Sequence, residues 1–174
     1  MVLVYMMGTP AAGVGPQDVA LDIIRNVFSD GFVKNRIMEF AGPGIAGLSM
    51  DFRNGIDVMT TEASCVSTIW QTDSTVKDWL SVHKRENEYR EIRPSRLAYY
   101  DYLLEVDLGE VKPMIALPFH PSNAYTIEEV NENPEDILRL TEENCNAQMK
   151  EFGLKMDLRS KIEHGRLRVD QGVI

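Results

Sequence analysis

Short runs of strand-forming residues alternate along this chain with stretches of helical hydrophobic spacing, and that alternation constrains the fold more than any other feature. Val2-Leu3-Val4-Tyr5-Met6 reads as a strand, followed by a turn-rich loop over 8–15. Pro16 suits the first turn of a helix, and Val19, Ile23, Ile24 and Val27 then recur at helical spacing until Ser29-Asp30-Gly31 stops it. Residues 36–40 form a second strand, closed by Gly42-Pro43-Gly44. A helix over about 51–63 is expected to bury Phe52, Ile56, Met59 and Ala63. Residues 65–70 are rich in strand formers, and 73–82 form a third helix with Asp73 as its N-cap. After a charged connector containing Pro94, residues 102–108 alternate cleanly as a strand. Residues 113–121, with three prolines, are extended, and an acidic amphipathic helix over 134–152 runs through Ile137, Leu140 and Cys145. Helices alternating with short strands imply an α/β fold with three layers, α/β/α.

The 174 residues predict one domain over 1–174, with 126–174 a less regular helical and terminal-strand extension. Apolar strand-like runs stand at both extremes, 2–6 and 166–174, where natural termini usually fray into polar residues. That placement is expected of a piece of a longer protein, with both runs exposing apolar surface that neighbouring domains would cover.

Charge narrows the partners. Eighteen basic against 27 acidic residues give a net charge of −9, and Lys and Arg are scattered rather than gathered into a phosphate-tracking patch, which argues against nucleic acid. No stretch approaches the roughly 18 uninterrupted apolar residues of a membrane span. The two cysteines, Cys65 and Cys145, stand 80 positions apart, outside any disulfide framework or zinc spacing, so the chain reads as cytoplasmic with reduced thiols.

Most candidate sites resolve into ordinary roles. Gly13-Val14-Gly15-Pro16-Gln17 lacks the phosphate-loop signature and reads as a turn. Gly42 and Gly44 also read as turn residues, although glycine there would permit close approach of a neighbouring backbone. His83, His120 and His164 have no ligand spacing, Ser64 and Ser67 have no nearby histidine, and Cys65 reads as an inert core thiol. Glu62 differs. It lies at the end of a helix among the uncharged residues Val58, Met59, Thr60, Thr61 and Ala63, where the helix dipole disfavours a carboxylate. The alternatives are a solvated helix-end acid, an ion pair with a residue such as Arg53, or a functional carboxylate.

The run Glu39-Phe40-Ala41-Gly42-Pro43-Gly44, then Leu48-Ser49, then Met59-Thr60-Thr61-Glu62, resembles the aconitase family. Gly15-Pro16-Gln17-Asp18-Val19 resembles the helix opening of that family's second domain, and 100–108 and 112–121 resemble the segment leading out of it. The resemblance implies a hydratase or dehydratase interconverting hydroxy-acids and unsaturated acids. It implies a four-iron four-sulfur cluster held by three cysteines, an open fourth iron serving as Lewis acid, a proton-abstracting serine and carboxylate-binding arginines. It also implies a glutamate beside the open iron, which Glu62 matches by its place eight residues before Trp70.

The departures are specific. The family's asparagine four residues before the glutamate falls on Val58, and the cluster cysteines, the serine and the arginines have no counterpart. Thr72-Asp73-Ser74 resembles part of the family's Asp-Ser-His motif but stands after Glu62 without the histidine, and reads as a helix cap. The expectation is therefore a second domain of an aconitase-like hydro-lyase. Its partners would be the remaining domains and a small hydroxy-acid substrate, and the cluster would be bound elsewhere, with none on this chain. The competing expectation is a non-catalytic interaction or assembly module on the same scaffold.

Overall fold

The computed structural model describes residues 1–170. The chain divides into two units, Met1–Pro113 and Met114–Ile174.

The first unit is built on a four-stranded parallel sheet: β1 (Val2–Met7), β2 (Ile37–Ala41), β3 (Ser67–Trp70) and β4 (Tyr102–Asp107), in the order β3-β2-β1-β4. Its helices are α1 (Pro16–Phe28), α2 (Met50–Thr60) and α3 (Ser74–Val82). β1-α1-β2 and β2-α2-β3 are successive βαβ units, which parallel pairing requires because parallel strands need long crossovers. The α/β reading with helices flanking the sheet is the observed fold.

The expectation for β1 is corrected. Far from being an exposed terminal strand, it lies at the centre of the sheet between β2 and β4, with Val2↔Met38 and Val2↔Tyr102 in register. Val2, Val4 and Met6 are sealed, while Leu3, Tyr5 and Met7 on the other face are half-buried. Val19, Ile23, Ile24 and Val27 of α1 are all buried in the same core as Phe40, Ile45 and Ile56. Trp70 closes that core by stacking on Phe40, with ring centroids 4.2 Å apart and planes 2° from parallel.

Gly42 serves both of its expected purposes. Its φ of +116° is accessible to glycine, and a Cβ there would lie 2.4 Å from the Met6 carbonyl oxygen of the neighbouring strand. Gly42→Ala should therefore cost about 2–4 kcal/mol, from the strained backbone and the forced separation of β1 and β2 together. Urea unfolding of the variant against the parent chain checks this; an unchanged midpoint would contradict it.

The second unit carries the antiparallel pair β5 (Met114–Ala116) and β6 (Ala124–Thr126), the helices α4 (Ile127–Glu132) and α5 (Pro134–Met149), and a two-residue pair, β7 (Ile162–Glu163) with β8 (Arg166–Leu167). The Thr126 hydroxyl and the Glu129 carboxylate form a reciprocal capping box that starts α4.

The buried stripe of α5 is also corrected. It runs through Leu138, Thr141, Glu142 and Cys145, while Leu140 is 48% exposed. Two polar residues can occupy that stripe because both are satisfied. Thr141 Oγ1 donates to the Ile137 carbonyl at 2.9 Å, and the Glu142 carboxylate accepts from Arg159 N at 2.5 Å and Arg159 Nε at 2.8 Å. Of the terminal run 166–174, Arg166 and Leu167 are in a strand, and 171–174 lie outside the described residues. Among the described residues no helix is long and apolar enough to cross a membrane.

Candidate functional site

Ser49 starts α2 by accepting a hydrogen bond from Phe52 N on its side-chain oxygen at 3.2 Å. One turn on, Arg53 is 2% exposed and fixes the helix in place. Its Nε donates to Leu48 O at 3.2 Å, its Nη2 to Ile45 O at 2.9 Å, and its two Nη atoms grip both oxygens of Asp73 at 3.1 and 2.6 Å. Asp73 is the N-cap of α3, as its sequence position indicates, and also accepts from Val76 N at 3.3 Å. Burial alone would raise the Asp73 carboxyl, but hydrogen bonds and charge from Arg53 outweigh it and hold the group below its ordinary value. Asp57, one turn further, ties α2 to β3: its Oδ1 accepts from Trp70 Nε1 at 2.8 Å and from the Thr68 hydroxyl.

With its start and middle pinned to β3 and α3, α2 ends in a tightened 3-10 turn, Thr61–Ala63, which carries Glu62. Its last carbonyls are taken by side chains: Thr60 Oγ1 donates to Asp57 O at 2.7 Å, Thr61 Oγ1 to Val58 O at 3.3 Å and Cys65 Sγ to Thr60 O at 3.5 Å. Ser64 turns the chain in the left-handed conformation, φ 61°. Its carbonyl accepts from Asn35 N at 3.0 Å, and Val66 N donates to Arg36 O at 2.8 Å, so the turn is held against the amino end of β2.

Glu62 is exposed, and among the described residues no cation pairs with it. The ion pair with Arg53 that the sequence leaves open does not form, because Arg53 is committed to Asp73. Val58, one turn before Glu62, is 66% exposed. The structure thus presents a solvent-open carboxylate on a rigidly anchored helix end, beside an apolar side chain. Sequence reasoning missed Asp57 and the Arg53–Asp73 grip. An Arg and an Asp four residues apart amid Ile56, Val58 and Met59 was the available signal.

The histidines have local roles. His83 Nδ1 lies 2.7 Å from Trp79 O, with its ring 4.1 Å from the Trp79 ring, and His120 Nδ1 accepts from Ser122 N at 3.1 Å.

Fold and site together define a parallel α/β unit with one solvent-open carboxylate at an anchored helix end. The profile of the Aconitase family (aconitate hydratase) matches residues 1–174, and the chain belongs to that family. It is 35% identical over 125 residues to the 3-isopropylmalate dehydratase large subunit of Acetivibrio thermocellus, covering 72% of this chain and 29% of that one. It is 32% identical over 127 residues to the 2,3-dimethylmalate dehydratase large subunit of Eubacterium barkeri, covering 73% of this chain and 29% of that one. The chain therefore spans less than a third of the length of these curated relatives.

The donor set of this chain does not fit the four-iron four-sulfur cluster typical of the family. Such a cluster takes three or four thiolates, and the chain has two cysteines, one in each unit. Burial pushes the Cys65 thiol up, with the Asp57 charge adding to it, and burial likewise raises Cys145, so neither favours the thiolate a metal needs. Among the described residues no group of three or more His, Cys, Asp or Glu side chains could hold a metal ion. Anaerobic incubation of the purified chain with ferrous iron and sulfide should leave it colourless after desalting. Broad visible absorbance co-eluting with the protein would contradict this.

Proposed function

We propose that this chain serves as the second domain of an aconitase-like hydro-lyase acting on hydroxy-acids and unsaturated acids, and that Glu62 is its contribution to the active site. The observation that carries the proposal is the anchored, solvent-open, unpaired Glu62 carboxylate in a chain that belongs to this family and spans 29% of its dehydratase relatives. A lone carboxylate at the negative end of a helix is disfavoured where it stands, and a role in holding or passing a proton would offset that cost. Under this proposal the residues 1–174 act as one aconitase-like domain, and other segments supply the cluster thiolates, the proton-abstracting serine and the carboxylate-binding arginines. The natural partners are those domains or subunits and a small hydroxy-acid, and the two free cysteines suit a reducing cytoplasm.

Val58 favours a second reading, a non-catalytic assembly module. An exposed isopropyl group stands where the family places an asparagine, beside the carboxylate that would need hydrogen-bonding neighbours. Assay of a longer protein containing this chain for dehydration of isopropylmalate and related hydroxy-acids separates the two. Turnover above background supports the enzyme; a folded, cluster-loaded protein without turnover supports the module.

A further inference from the structure

A cavity of about 140 Å³ lies between α2, β3 and α3, outside the Glu62 turn, with Asp57, Trp70, Arg53, Met50 and Val76 in its wall. We propose that it is a socket for the arginine side chain of another polypeptide.

The charge balance of the wall points to a cation. Arg53 brings a positive charge, but Asp73 matches it through two hydrogen bonds, and the Ile45 and Leu48 carbonyls take two more of its N–H groups. Asp57 has no such match. Its Oδ1 accepts from two neutral donors, Thr68 Oγ1 and Trp70 Nε1, and among the described residues no Lys, Arg or His pairs with either oxygen. The uncompensated charge of the cavity is therefore one carboxylate, with Oδ2 left to receive a donor.

The aromatic wall points the same way. One face of the Trp70 indole is stacked on Phe40, so the opposite face and the ring edge are what the ring can present to a guest. Indole is the best of the aromatic rings for holding a cation over its face, and a planar guanidinium can lie against it while its fork donates to a carboxylate. Size selects the source. Sites for free small molecules usually measure roughly 300–1,000 Å³, so this cavity suits the end of a side chain rather than a whole metabolite.

The test uses the purified 174-residue chain and the NMR signal of the Trp70 indole N–H, which reports directly because that N–H donates to Asp57. Trp79→Phe assigns it among the two tryptophans. Three probes are titrated at constant ionic strength: methylguanidinium, the tripeptide acetyl-Ala-Arg-Ala-amide, and acetate. Both guanidinium probes should shift the signal saturably, with the tripeptide at least as tight. Asp57→Asn, which keeps an oxygen for Thr68 and Trp70, should weaken both by about tenfold or more, as expected when a charge-assisted bond is lost. The proposal is overturned if acetate gives the saturable shift, if no probe does, if Asp57→Asn binds like the parent chain, or if methylguanidinium binds and the tripeptide does not. Should Asp57→Asn fail to fold, Val76→Phe narrows the cavity from its α3 wall, leaves the Asp57 carboxylate in place, adds no indole N–H and must abolish the shifts; retained shifts overturn the proposal.

Discussion

Glu62→Gln in a longer protein containing this chain should lower turnover by about 10²-fold, equivalent to about 2.7 kcal/mol of transition-state stabilisation. Gln keeps the shape and one acceptor oxygen but removes the charge and the exchangeable proton, so the loss should fall mainly on kcat. In the isolated chain the same change should move stability by no more than about half a kcal/mol, because the side chain is exposed and among the described residues no cation is paired with it. The two measurements bracket the role. A large kinetic loss with no stability loss identifies a group kept for chemistry. A turnover unchanged by the substitution would leave Glu62 as a solvated helix end.

The largest stability effect is expected at Asp73. Asp73→Ala removes the carboxylate that grips Arg53, whose side chain is 2% exposed, and removes the N-cap of α3 at the same time. Leaving a buried charge without its partner costs about 3–5 kcal/mol, and a lost cap adds about 1. Asp73 itself is 24% exposed, which admits some water to the pair, so a total of about 3–4 kcal/mol is expected. Asp73→Asn keeps the cap and should cost less. The pH dependence has a definite sign. The native carboxyl is held below its ordinary value, so its contribution is fully present above the unfolded value near pH 4 and is lost as pH falls through the lower native one. Asp73→Asn should therefore flatten the acid limb of the stability curve while leaving its shape near neutrality unchanged. An acid limb as steep as that of the parent chain would contradict this.

The parts of the fold legible in the sequence were those set by local periodicity and caps. The α1 stripe of Val19, Ile23, Ile24 and Val27 is buried as spaced, and Asp73 caps α3 from the position its sequence indicates. Strand order was not legible. Alternation in Val2–Met7 is equally compatible with an edge and a centre, and only pairing with both β2 and β4 makes β1 central. The α5 stripe was misread because hydrophobicity selects Leu140 over Glu142, whereas the structure buries Glu142 on a backbone N–H and a guanidinium 17 residues away. Glu62 was visible as an acid among uncharged neighbours. Its anchoring was not, since that depends on Arg53 reaching Asp73 across 20 residues and on Asn35, at the amino end of β2, reaching Ser64.

Glu62 is proposed to face reacting groups contributed by other segments. The most direct measurement is a crystal structure of the longer protein with its cluster intact and a hydroxy-acid bound. The Glu62 carboxylate is expected within hydrogen-bond reach, roughly 3 Å, of the substrate hydroxyl or of an ordered water beside it, with the turn over Thr61–Ala63 unchanged. A Glu62 carboxylate left in bulk solvent, or drawn into an ion pair away from the bound acid, would contradict it.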